Sequence, residues 1–152
     1  MKKLTSGFTL IELLVVIGIL AILLAITLIA INPARQFQQS NDTKRSSDVN
    51  AILNAINQYM ADNQGQLPTG IDVTASTIAA TTFNQMCQDL VPLYIAALPV
   101  DPLTNSGTPI QSADCTGTAW TSGYMVQQIA GAERLTVSAP AVEIAASIEV
   151  TR

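Results

Sequence analysis

The chain has 152 residues, enough for one domain plus a short appendage, and is 49% apolar but only 12% charged, against about a quarter charged in a typical globular chain. A net charge of −4 and an aromatic content of 5% argue against a basic or base-stacking nucleic-acid surface. The absence of histidine removes His-based triads, His general bases and His zinc sites together.

The missing charge is explained at the N-terminus. Phe8 to Ile31 forms an unbroken run of 24 residues, FTLIELLVVIGILAILLAITLIAI, whose one charge is Glu12. As a helix it extends about 36 Å, enough for a hydrocarbon core of about 30 Å. A cleaved secretory signal has an apolar core of about 7–15 residues and a small-residue cut site, and Ala30-Ile31-Asn32 matches that site poorly. A plain anchor fits the length but leaves Glu12 unexplained, because a charge inside lipid costs a few kcal/mol. Lys2 and Lys3 lie close to one end of the run, and Arg35, Lys44 and Arg45 follow the other. The density of positive charge beside the span favours a cytoplasmic N-terminus and an exported body.

The segment Met1-Lys2-Lys3-Leu4-Thr5-Ser6-Gly7, followed by Phe8-Thr9-Leu10-Ile11-Glu12, resembles the leader and mature start of type IV prepilins and type II secretion pseudopilins. It combines a short basic leader ending in glycine, a phenylalanine, a glutamate four residues later and an apolar helix. The resemblance implies that prepilin peptidase cuts between Gly7 and Phe8 and methylates the new Phe8 amine. When such helices bundle, that amine loses water, and Glu12 of a neighbouring subunit is the carboxylate able to pair with it. Glu12 would then set register, much as a polar residue does in a coiled-coil seam. The resemblance further implies other pilin or pseudopilin subunits as partners. It also implies a single-pass location in the cytoplasmic (inner) membrane and a fibre in the periplasm or outside the cell.

Asn32-Pro33 interrupts the helical run, since proline removes a backbone donor and disfavours helix at the preceding residue. Beyond it Val49, Ile52, Leu53, Ile56, Tyr59 and Met60 trace one helical face, and Asn63-Gln64-Gly65 stops it. One long helix is expected from about Phe8 to Asn63, bent near Pro33. Thr69 to Thr82 reads as a loop with a short helix, and Phe83 to Leu90 as a helix with Phe83, Met86, Cys87 and Leu90 on one face. Leu93 to Pro102, LYIAALPVDP, is similar to a Y-x-x-x-L-P-x-D-P segment of pseudopilins. After a loop over 104–123, three strands are expected at 124–130, 133–138 and 141–150, the first two joined through Gly131. The expected fold is α+β and pilin-like, a long helix packed on a small antiparallel sheet. Its divisions are leader 1–7, membrane and assembly helix 8–31, amphipathic continuation 32–64 and globular head 65–152.

Cys87 and Cys115 enclose 27 residues. Many pilins staple this region, so the resemblance implies a disulfide; two buried free thiols are the alternative. Major pseudopilins carry calcium after a similar L-P-x-D-P segment, which makes Asp101 and Asp114 candidate ligands and calcium the one candidate cofactor; turn formation is the competing role. Lys44, Arg45, Asp42 and Asp48 read as an exposed charge cluster, solvated or between subunits. No nucleophile–base arrangement and no phosphate-binding loop is visible, so no enzymatic activity is expected. Two functions follow: a structural subunit of a pilus or pseudopilus, or a monomeric membrane-anchored exported binding module. Only the first has a use for Gly7-Phe8 and Glu12.

Overall fold

The computed structural model describes residues 7–132 and 134–152. Most of the basic leader, with Lys2 and Lys3, and Glu133, the expected start of the second strand, lie outside the described residues. The chain divides into two units, one reaching to Phe37 and the other running from Gln38 to Arg152.

In the first unit, α1 spans Leu10–Ile31 and buries none of its residues. Thr9 caps its start. Asn32 ends it in the left-handed region (φ 45°, ψ 75°), a conformation that a short amide side chain tolerates. The same residue opens α2 (Pro33–Asp62): its carbonyl accepts from the Gln36 N–H at 3.4 Å and its side chain from the Arg35 N–H at 3.4 Å. Pro33 thereby occupies the first helical position, where its missing N–H costs nothing. The expected long helix is present, with its one interruption at Asn32. It stops at Asp62, where Gln64 (φ 57°) and Gly65 (φ 83°) turn left-handed and the Gly65 N–H closes on the Met60 carbonyl at 2.8 Å.

In the second unit α2 packs on a four-stranded antiparallel sheet of order β1 (Ser76–Ala79), β2 (Thr121–Gln128), β3 (Leu135–Ser138) and β4 (Glu149–Thr151). The expected face of α2 is the buried one: Val49, Ile52, Leu53 and Ile56 have no exposed surface, while Tyr59 and Met60 pack at its margin. Helix α3 (Ala80–Leu90) turns Phe83, Met86, Cys87 and Leu90 into the same core. Ser122, Tyr124 and Val126 of β2 face inward at every second position, and Leu135 and Val137 of β3 complete the layer. Tyr94 meets Tyr59 edge-on, with ring centroids 5.7 Å apart.

Three expectations are corrected. The 69–82 stretch carries β1, a four-residue strand with one buried side chain, Ile78, too short to show a period. The first expected strand starts at Thr121, because Gly123 (φ 79°) sits inside it and disguises the pattern. A Cβ at Gly123 would meet the Asp101 Cβ and the Thr104 hydroxyl at 2.9 Å, so the loop after Pro99 crosses β2 where a side chain is missing. The third expected strand shrinks to Glu149–Thr151. Residues 139–148 instead form a loop closed at its base by the Ala139 N–H and the Ile148 carbonyl, 2.9 Å apart. Three of that loop's amides donate to a side chain of α2, which removes them from any ladder.

Cys87 and Cys115 form the disulfide, with Cα atoms 5.4 Å apart, and it ties α3 to the turn at Asp114–Thr116. By loop-closure entropy the bond stabilises the head by about 3–4 kcal/mol. Reduction should lower the denaturant midpoint of the head accordingly, measured by circular dichroism with and without reductant; an unchanged midpoint would contradict this account.

Candidate functional site

Two constellations stand out, one at the start of α1 and one inside the head. At the first, Thr9 and Glu12 form a reciprocal cap. The Glu12 N–H donates to Thr9 Oγ1 at 3.2 Å, while Glu12 Oε2 accepts from the Thr9 N–H at 2.9 Å and the Thr9 hydroxyl at 2.6 Å. All the recorded bonds fall on one carboxylate oxygen. Phe8 is 87% exposed, and with Ile11, Glu12, Val15 and Val16 it lines a shallow apolar hollow on the helix flank. The structure thus brings Phe8 and Glu12 together at the tip of a bare helix, with Gly7 preceding them in open space. Thr9, which sequence reasoning passed over, holds the carboxylate; the T-x-x-E spacing of a capping box was the signal.

The second constellation overturns the reading of Asp42 and Arg45 as solvent-facing charges. Arg45 is fully buried and Asp42 is 8% exposed. Arg45 donates from Nε to Asp101 Oδ2 at 2.6 Å and from Nη2 to Asp101 Oδ1 at 3.3 Å. Its Nη1 reaches Asp42 at 2.8 Å and Glu143 at 3.0 Å. Three carboxylates from three parts of the chain therefore converge on one guanidinium, whose planar fork suits them. Asp42 in turn accepts the N–H groups of Glu143, Ile144 and Ala145 at 3.1, 2.8 and 2.9 Å. Asn41 adds a bond to Glu143 at 2.8 Å. One turn on, Tyr124 donates to Asp48 at 2.8 Å. Among the described residues, no buried side-chain polar atom lacks a partner.

The charge states follow from these contacts. Burial works to raise Asp42, but the three backbone donors and Arg45 outweigh it and hold the carboxyl well below the usual range. Hydrogen bonds to Asp101 above all, then to Asp42 and Glu143, hold the Arg45 proton more tightly than in water, against the opposing pull of burial. Burial raises Asp48, and burial together with Asp48 raises Tyr124, so neither ionises as readily as in solution.

This arrangement does not fit calcium at Asp101. Both of its oxygens are taken by Arg45, and one also accepts the Leu103 N–H at 2.9 Å, which makes it a turn former as well. Asp114 is exposed and accepts the Gln111 N–H at 2.9 Å in a turn of its own. Among the described residues no group of three or more His, Cys, Asp or Glu is gathered for a metal. The signal for the buried cluster was present but misread. Asp42, Arg45, Val49, Ile52 and Ile56 share one helical stripe, and its first two members are charged.

Removing one member of a buried charge pair costs about 3–5 kcal/mol. Arg45→Met should destabilise the head by that order in chemical denaturation, while Asp114→Asn should stay within about 0.5 kcal/mol. The pH dependence has a definite sign. Because folding lowers the Asp42 carboxyl below its ordinary 3.8, its stabilisation is complete above that pH and drains away as the pH falls. Asp48, being raised, contributes in the opposite sense. Asp42→Asn should therefore flatten the acid limb of the stability curve; an unaltered limb would show that Asp42 does not carry it.

Comparison with known proteins agrees with the geometry at the helix tip. The prokaryotic N-terminal methylation motif matches residues 2–28. The type II secretion system core protein G of Aeromonas hydrophila is 36% identical over 107 residues, covering 68% of this chain and 71% of the relative. No solved structure matches. With a prepilin-type start, a bare apolar helix and a head of helix on antiparallel sheet, the chain belongs to the pilin and pseudopilin family, as a structural subunit of a pilus or pseudopilus.

Proposed function

We propose that this subunit builds a type II secretion pseudopilus. Prepilin peptidase cuts it between Gly7 and Phe8 and methylates the Phe8 amine. It sits in the inner membrane with its head exported, then joins a fibre through α1. The observation that carries the reading is α1 itself: 22 residues with none buried, apolar nearly all round, with Glu12 in its first turn held by the Thr9 cap. A helix apolar on every side needs lipid or other helices as its solvent. It is long and apolar enough to cross a membrane. The relative's name supports secretion over adhesion, motility or DNA uptake. A monomeric anchored binding module would have no use for Gly7-Phe8 and Glu12. The head works as a fibre component and not as an enzyme: its buried charges are committed to holding its own segments together.

In the fibre the apolar phase around Phe8 strengthens an amine–carboxylate pair that water would weaken. Glu12 Oε2 is held by Thr9, so Oε1 is the oxygen turned to the Phe8 amine of a neighbour. Mass spectrometry of the protein from its membrane should show a chain starting at methylated Phe8, and Gly7→Leu should leave it uncut. Glu12→Leu should be cut normally and keep a folded head, yet lose fibres. A wild-type chain recovered only at full length, or Glu12→Leu fibres at normal yield, would overturn this reading.

A further inference from the structure

Carboxylates drawn from separate segments onto one positive group are the way a protein holds a hard cation. In this head the positive group is the Arg45 guanidinium, and its partners are Asp42, Asp101 and Glu143. Five of their six carboxylate oxygens already face N–H groups, both on Asp42, both on Asp101 and Oε2 on Glu143. Asp101 Oδ2 accepts from Arg45 Nε, and its Oδ1 from Arg45 Nη2 and the Leu103 N–H. Asp42 Oδ1 accepts from Arg45 Nη1 and the Glu143 N–H, and its Oδ2 from the Ile144 and Ala145 N–H groups. Glu143 Oε2 accepts from Arg45 Nη1 and from the Asn41 amide. Calcium takes about six to eight oxygen ligands, and an oxygen turned to an N–H is not free to be one.

The backbone beyond Asp101 is committed in the same way. Asn105, Ser106 and Gly107 are all left-handed, and the turn they make closes on itself. The carbonyls of Asp101, Thr104 and Asn105 accept from the N–H groups of Thr104, Gly107 and Thr108 at 2.9, 2.8 and 3.2 Å. A second cation of α2 lies against this turn. A Cβ on Gly107 would meet Lys44 Nζ at 3.1 Å and the Pro102 Cα at 3.3 Å. Lys44 and Arg45, adjacent in sequence, thus both bring positive charge to the segment from Asp101 to Gly107. A divalent ion entering there is repelled by both. The spacing of the acids points the same way. They meet a planar fork edge by edge, and among the described residues no three acidic, Cys or His side chains are gathered closely enough for a metal.

We propose that the Arg45 guanidinium stands in this head where a divalent cation would otherwise gather the loops, so that the head folds and keeps its shape without calcium. The L-P-x-D-P segment that resembles the one in calcium-bearing pseudopilins is here tied down by a charge the chain carries itself. The inference concerns the head alone and holds for whichever fibre the subunit builds.

The test uses the full-length protein in detergent with its disulfide intact. Urea unfolding is followed by the fluorescence of Trp120, the chain's one tryptophan, which is packed on the head core and bonded to Asn84. The wild-type midpoint should be the same in calcium chloride and in EGTA. Arg45→Ala should unfold at lower urea. Methylguanidinium, with methylammonium as the control, should shift its midpoint back toward wild type, and calcium should not. Arg45→Lys keeps a charge without the fork and covers a failure of Arg45→Ala to fold. Its midpoint should lie below wild type and stay the same in calcium and EGTA. A wild-type or Arg45→Lys midpoint raised by calcium would overturn the proposal. So would calcium restoring Arg45→Ala as well as methylguanidinium does. Each of these results leaves the processing and fibre experiments on Gly7 and Glu12 untouched, so the two readings fail separately.

Discussion

A single buried guanidinium holds the head together. Arg45 sits in α2 with no exposed surface and gathers Asp42 from its own helix, Asp101 from the loop after Pro99, and Glu143 from the loop between β3 and β4. Asp101 and Glu143 lie on segments that belong to no helix or strand. The 139–148 loop has its base closed by one backbone bond and its middle held by the Asp42 carboxylate. An apolar residue at position 45 would fill the space and bring none of these segments together. Replacing a buried ion network by well-packed apolar groups is often neutral for stability. What this network adds is a specific arrangement: it decides which loop lies against which turn of the helix.

That division of labour suits a chain that must live in two solvents. α1 exposes apolar surface on every side and is stable in lipid or among other helices, where its backbone polar groups are satisfied within the helix. The head has a thin apolar core, one face of α2 against a four-stranded sheet with α3 at the edge, closed by a disulfide and by charge. Asn32 separates the two regimes. Its left-handed backbone ends the apolar helix and its carbonyl and side chain start the polar one. Assembly demands that the bare half change partners while the head keeps its shape. The head accordingly holds Asp42, Arg45 and Asp101 inside on internal partners, and leaves α1 to respond to the lipid or to the fibre.

The elements that were legible in the sequence are those whose signal is local. Phe8 to Ile31 is unbroken because a helix in hydrocarbon has no polar face. Val49, Ile52, Leu53 and Ile56 repeat with the helical period because one side of α2 meets the sheet. Phe83, Met86, Cys87 and Leu90 do the same for α3. The short strand β1 escaped, since four residues with one buried side chain carry no measurable period and their ladder partner lies more than forty residues away. The β3–β4 loop was misjudged for the opposite reason. Ala141 to Ile148 is apolar enough for a strand, yet its amides are captured by a carboxylate on a distant helix.

By itself the sequence determined the N-terminal methylation motif over residues 2–28, the placement of Glu12 at the head of an apolar helix, and the stripe on which the head is built. Each depends on neighbours within a few residues, and helical geometry converts spacing into position. Only the tertiary structure decided that Asp42 and Arg45 point inward. The pair is three residues apart and looks like any surface ion pair. Its burial is set by Asp101 and Glu143, 56 and 98 residues away from Arg45. Whether a charge faces water or the interior depends on whether a distant partner arrives to replace its hydration, and that information resides in the packed chain.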